Sequence, residues 1–150
     1  MTTLHDSVVH TDHIIIRKMQ QWFVPAARIS IAIVFIWFGF LKAIGLSPAS
    51  ALVHGLFNQT IHFMSFNSFY VFFAWFEVLI GVLFLIPRFT RLAIPLLLIH
   101  MVTTAGPLVF LSAESWQAPL VPTLVGQYII KNLVIIAAAV GIAAHVRPMK

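Results

Sequence analysis

Four ionisable side chains fall inside long apolar stretches of this sequence: Lys42, Glu77, His100 and Lys131. At bilayer depth such a group costs ~2.5–3.5 kcal/mol on insertion scales and normally needs a partner, a wet cavity or a ligand. Lys42 and Glu77, opposite in sign and on consecutive apolar stretches, form the natural pair and the candidate catalytic residues. A carboxylate can carry a proton, and an ammonium can hold a carbonyl or anionic oxygen. His100, Thr103, Thr104 and Pro107 follow an i, i+3, i+4, i+7 spacing, which places an imidazole and two hydroxyls on one helix face. Lys131, beside Gln127 and Tyr128, adds a second cation that either snorkels to the outer surface or turns inward to attract a ligand. With Asn132 it completes the candidate ligand-binding set of Lys42, Glu77, His100, Thr103, Thr104, Lys131 and Asn132.

The elements that must position these groups are membrane helices. The chain has 150 residues, 61% of them hydrophobic and only 9% charged, with 14 Phe, 4 Trp and a mean hydropathy of +1.00. That is too little charge to cover a water-exposed globule, which excludes a soluble enzyme. Four apolar runs, at residues 29–46, 69–86, 92–111 and 128–144, are each long enough to cross a bilayer with some tilt. The expected fold is an all-α, integral membrane four-helix bundle. Residues 1–27 form a tail and interfacial helix, 28–146 the four-span domain, and 147–150 a second tail.

Charge sets the orientation. Arg17, Lys18 and Arg28 precede the first run, Arg88 and Arg91 sit in the tight connection after the second, and Arg147 and Lys150 follow the fourth. The other two connections carry no Lys or Arg, so both termini are expected on the cytoplasmic side. The net charge of +5 is scattered without a basic run, which points to membrane topology and not to nucleic acid. Residues 1–13 are too polar for a cleavable signal, and the first span is expected to be retained. From Ile14 to Val24 apolar and basic residues mix before Pro25, as in a helix lying on the inner leaflet. Before it, the polar N-terminal tail is expected to be disordered. Ser47-Pro48 reads as the start of a short capping helix at the outer face.

Counting about 1.5 Å per residue from the cytoplasmic charges, Lys42 lies roughly 21 Å up, Glu77 about 16, His100 about 13 and Lys131 about 24. All four are in the middle or outer half of the bilayer. Gly39, Ala74 and Gly81 lie one turn from Lys42 and Glu77, so the charged faces are also those where helices can approach closely. The plainer reading of Lys42 and Glu77 is a structural ion pair that fixes helix register. His100 reads as an interhelical hydrogen-bond donor ahead of a metal or haem ligand, because His54, His62 and His145 are badly placed to supply a second imidazole. His10-Thr11-Asp12-His13 offers metal ligands only on a tail without fixed geometry. There are no cysteines, which removes thiol relays and iron–sulfur ligation. Trp37, Trp75 and the Phe72-Phe73 pair could make a flat apolar slot, while Trp22 and Trp116 suit the two interfaces as belt anchors.

The run RISIAIVFIWFGFLK at 28–42 closely resembles the first span of DoxX-like membrane proteins, especially the branch of inner-membrane proteins associated with reactive-chlorine resistance. FEVLIGVL at 76–83 resembles their second span, and GQYIIKNL at 126–133 the start of their fourth. Gln127 stands where an Arg is common in that branch, and Asn132 where an Asp is common. The resemblance implies a four-helix bundle of the bacterial inner membrane, engaged in quinone-coupled oxidation of sulfur compounds or in defence against oxidants. It makes a quinone the expected ligand class, with a small oxidised or anionic molecule beside it. The other readings are a small-solute conduit or exporter, which four short spans would form only as a homo-oligomer, and a non-catalytic subunit of a larger membrane complex.

Overall fold

The structure is a computed structural model that describes the backbone of residues 2–146 and the side chains from residue 8 onward. Arg147 and Lys150, used above for orientation, lie outside the described residues. The elements are α1 (Thr2–Ala43), α2 (Ser50–Thr60), α3 (Phe66–Leu85), α4 (Thr90–Ala105), α5 (Pro107–Phe110), α6 (Ser112–Ser115), strands β1 (Trp116–Ala118) and β2 (Val121–Pro122), α7 (Leu124–Ile130) and α8 (Asn132–Ala144). Four helical segments are long and apolar enough to cross a membrane: Val8–Ala43, Phe66–Leu85, Pro87–Phe110 and Leu124–Ala144. The main helices pack in the cyclic order α1, α3, α4, α8, with the α1–α3 interface the most extensive.

The first helix departs from the sequence expectation. Among the described residues α1 runs unbroken from Thr2 through Pro25 to Ala43, across the boundary expected at residue 27, with no break between an interfacial part and the long apolar run. A proline removes one N–H from the ladder and its ring crowds the carbonyl four residues back, a local cost that the long apolar run on its C-terminal side overrides. The helix stops where glycine allows it to. Gly45 adopts φ 75°, and its N–H reaches the Lys42 carbonyl at 3.1 Å while the Leu46 N–H reaches that of Leu41 at 2.9 Å. This is the paired closure of a left-handed helix cap, and it fixes Lys42 in the final turn.

The α1–α3 interface is built on small residues. A Cβ on Gly39 would come within 2.8 Å of the Ala74 carbonyl oxygen, and one on Gly81 within 3.0 Å of that of Ala32. At the basic end, Arg28 ties three helices together, its guanidinium donating to the Phe84 carbonyl at 3.2 Å and to Thr90 Oγ1 at 2.6 Å. Thr90 in turn donates to the Pro87 carbonyl at 2.6 Å, closing the tight α3–α4 connection.

The third and fourth spans are also not single rods. Helix α4 ends at Ala105, Gly106 intervenes, and α5 begins at Pro107, which has no N–H to continue the ladder. The Gly106 N–H bonds the Thr103 carbonyl that the proline leaves free. Downstream, Ser115 Oγ donates to the Pro107 carbonyl at 2.9 Å and Trp116 Nε1 to that of Leu108 at 2.9 Å. Trp116 therefore fastens the connection between the third and fourth apolar segments to the end of the third. Ser115 is fully buried but the Pro107 carbonyl keeps the Leu111 N–H as a second donor. Ser115→Ala is accordingly expected to lose only about 0.5–1.5 kcal/mol, read as a small fall in reversible unfolding free energy in bicelles. The fourth span divides at Lys131 into α7 and α8, with Thr123 Oγ1 capping α7 by accepting from the Gly126 N–H at 3.2 Å. The outer helix α2 starts at Ser50, three residues after Ser47, whose hydroxyl instead accepts from the Ala49 N–H at 3.3 Å.

Packing divides along the bundle axis. Toward the Arg28 end the core is largely aliphatic, with Ile31, Ile80, Ala93, Leu97, Ala139 and Ile142 fully or nearly fully buried. Toward the other end it is aromatic: Phe57 from α2 meets Phe66 and Phe69, which continue into Tyr70 and Phe73 on α3. The buried charges occupy the level between.

Candidate functional site

Lys42, Glu77 and His100 come from three different helices and meet at one point. Lys42 Nζ donates to Glu77 Oε2 at 2.6 Å, and His100 Nε2 lies 2.7 Å from Glu77 Oε1. The three residues are 8%, 4% and 4% exposed. Each oxygen of the carboxyl group thus has one nitrogen partner within hydrogen-bond distance, which offsets part of the cost of removing it from water.

The sequence explains why these atoms meet. Lys42 is held in the capped last turn of α1, Glu77 is mid-helix in α3 one turn from Ala74 and Gly81, and the two small residues let the backbones close until short reach suffices. His100 reaches in from α4, its ring stacked on Phe73 at 4.9 Å between centroids and set edge-on to Phe35 at 5.2 Å. Phe76 is a third ring neighbour, tilted to it with centroids 6.1 Å apart. Lys42 Nζ sits over the Phe73 ring, 5.7 Å from its centre, so the same aromatic ring supports both cation and imidazole.

Among the described residues two buried side-chain polar atoms have no hydrogen-bond partner, His100 Nδ1 and Tyr70 Oη. Tyr70 precedes Glu77 by seven residues, which puts it on the same face of α3, two turns toward the helix N-terminus. Tyr70 was not singled out from the sequence. The signal was its position in register with Glu77, obscured by six phenylalanines in the same stretch.

The remaining candidate ligand residues lie elsewhere. Thr103 is exposed and its hydroxyl donates back to the Ile99 carbonyl at 3.2 Å, while half-buried Thr104 does the same to Met101 at 3.1 Å. Neither hydroxyl joins His100, because a threonine within a helix readily satisfies itself on the preceding turn. Lys131 is exposed, with Nζ 5.2 Å from the centre of the Tyr128 ring on its own helix, and Asn132 is half-buried at the start of α8. The fourth span thus contributes neither Lys131 nor Asn132 to the carboxylate's coordination. The aromatic slot is divided in the same way. Phe73 faces the cluster, but Trp37, Phe72 and Trp75 are exposed on the outer surface, Trp37 lining a lateral groove of about 550 Å³ with Ile33, Ile36 and Phe40. Among the described residues no three His, Asp or Glu side chains converge as a metal site would need.

Chemically, the cluster is a carboxylate held between a cation and an imidazole, with one imidazole nitrogen still open. It can accept or relay a proton, and it can offer an ammonium to a ligand oxygen that displaces Glu77. No family model, curated protein or solved structure matches this chain.

Proposed function

We propose that this chain is a DoxX-like protein of the bacterial inner membrane, with both termini cytoplasmic, that acts in membrane redox or oxidant-stress chemistry. The lipid bilayer is its solvent, and the Lys42, Glu77 and His100 cluster is its ligand site. A quinone, or a small oxidised or anionic molecule, receives a hydrogen bond from Lys42 while Glu77 handles the proton. The observation that carries this reading is the cluster itself, three ionisable groups from three helices with a buried hydrogen-bonding atom of His100 left open. A register-setting ion pair needs no third member and no open atom. Support for the class comes from the first-span motif, whose terminal lysine is the one that bonds Glu77.

The test is to isolate the protein in native lipid particles and identify co-purifying small molecules by mass spectrometry. A quinone or other defined ligand is expected with the wild type and lost from Lys42→Met. Loss of the corresponding complementation in an oxidant-sensitive deletion strain is expected with it. Full complementation by folded Lys42→Met and Glu77→Gln proteins would sink the reading.

A second reading, that of an assembly subunit, is favoured by one observation. The fourth span is the least buried of the four, with Leu133, Val134 and Val140 exposed along it. A stoichiometric partner protein in the same particles, with no ligand in either sample, would select it.

A further inference from the structure

Glu77 receives an ammonium on one oxygen, so it is in its acceptor-only form, and the imidazole nitrogen facing its other oxygen must carry the hydrogen. That nitrogen is His100 Nε2. Lys42 and Glu77 already cancel in charge, and a protonated ring would leave a net positive charge among Phe35, Phe73 and Phe76. The ring is therefore neutral, and Nδ1 is a bare lone pair, buried and without a donor. Among the described residues no other charged group compensates it: α3 presents Glu77 and Tyr70, α1 presents Lys42 through Glu77, Arg91 on α4 lies nine residues away at the basic end, and Tyr128 and Lys131 in α7 and at its end are exposed. Carboxylate, N–H imidazole and open lone pair in series form an oriented base.

We propose that this site binds a weakly acidic, ring-bearing hydroxyl compound of the phenol class, taking it up as anion and proton together. The ligand O–H bond breaks as the Nδ1–H bond forms, the electron pair stays on the ligand oxygen, and the resulting oxyanion remains hydrogen-bonded to the new imidazolium N–H. No oxidation state changes. Charge is balanced before and after, since the imidazolium and the oxyanion arrive as a neutral pair beside Lys42 and Glu77. An anion alone or a proton alone would each leave one uncompensated charge in an apolar setting. Phe35, Phe73 and Phe76 favour a ring over a mineral acid, and Tyr70 Oη, the other buried polar atom without a partner, is the second donor for the oxyanion or for a polar substituent two turns outward. This inference rests on the cluster being a ligand site, but it moves the proton acceptor from Glu77 to His100 Nδ1, keeps the Lys42–Glu77 pair intact and narrows the ligand class.

The probe is 4-nitrophenol, whose phenol and phenolate absorb at different wavelengths, added to the whole protein in lipid nanodiscs. Calorimetry in two buffers of different ionisation enthalpy, in the alkaline range where the probe is ionised in solution, counts protons taken up. One proton per probe is expected, with affinity falling about tenfold per pH unit. Nitrogen NMR of ring-labelled His100 should pass from the neutral tautomer to imidazolium on binding at constant pH. His100→Gln, which can donate toward Glu77 but cannot accept the proton, is expected to abolish the uptake; Tyr70→Phe is expected to weaken binding by about tenfold or less. Binding by the wild type without proton uptake, or uptake unchanged in His100→Gln, overturns the proposal. Failure of the wild type to bind also overturns it. In that case a native ligand lost from Lys42→Met leaves the site reading standing, and absence of any native ligand removes both.

Discussion

Glu77→Met is expected to cost about 3–5 kcal/mol of unfolding free energy, because it leaves the Lys42 ammonium buried without its partner and His100 Nε2 without its acceptor. The penalty comes from stranded neighbours, so it should shrink as they are removed. Lys42→Met combined with Glu77→Met should recover most of the loss, leaving the imidazole as the one polar group without a partner, at about 1–3 kcal/mol. Adding His100→Phe should return the bundle to within about 1–2 kcal/mol of the wild type, since well-packed apolar replacements of buried ion pairs are often neutral. Steric-trapping or denaturant unfolding in bicelles reads the series, and co-purified ligand or complementation is scored on the same samples. A stable triple variant that has lost ligand and complementation separates the cluster's chemistry from its role in folding. A stable triple variant that complements fully would reduce the cluster to a register device.

The second large effect is expected where no charge is involved. Gly39→Ala places a methyl 2.8 Å from the Ala74 carbonyl oxygen and 2.9 Å from the Val78 nitrogen. Those are backbone atoms, which cannot rotate away, so α1 and α3 must separate. Gly81→Ala meets the same obstacle from the other side, against the Ala32 carbonyl and the Ile36 nitrogen, both at 3.0 Å. Each is expected to cost about 1–3 kcal/mol, and the double substitution less than the sum, because the first separation relieves the second clash. The same measurement should show a functional loss out of proportion to stability. A 2.6 Å contact between Lys42 and Glu77 does not survive a widening of the interface on which both stand. Equal costs for Gly39→Ala and for an alanine at exposed Gly45, where a Cβ would meet nothing within 4 Å, would show the interface to be plastic. The Gly45 cost arises only from its φ of 75°.

How far the sequence could be read depends on what each feature needs. Long apolar runs and their flanking charges are one-dimensional properties, and the four membrane-length helices were legible from them. Lys42 and Glu77 could be matched because similar depth and opposite sign can be read off two apolar runs. His100 was placed only as far as its face, since whether an imidazole meets a carboxylate or a threonine turns on the rotation of α4 about its axis. Thr103 and Thr104 share that face by spacing, yet each hydroxyl has a carbonyl of its own helix within reach. For Lys131 the sequence allows snorkelling or an inward turn, and in the structure its side chain is exposed beside the Tyr128 ring. The run through Pro25 and the breaks at Gly106 and Lys131 were invisible to hydropathy, which does not distinguish one rod from two.

The spacing of the cluster along the chain has a consequence for biogenesis on the proposed topology. Lys42 precedes Glu77 by 35 residues, and Glu77 precedes His100 by 23. A ribosome therefore delivers the cation to the translocon before the residue that neutralises it has been synthesised. A lone lysine at that depth works against lateral release by ~2.5–3.5 kcal/mol, comparable in size to the favourable contribution of several leucines. The first helix should linger at the insertion machinery until α3 arrives, and the two should leave as a hairpin with Gly39 and Gly81 already in contact. The ion pair would then act first as a checkpoint in membrane integration, and only afterwards as a place for chemistry.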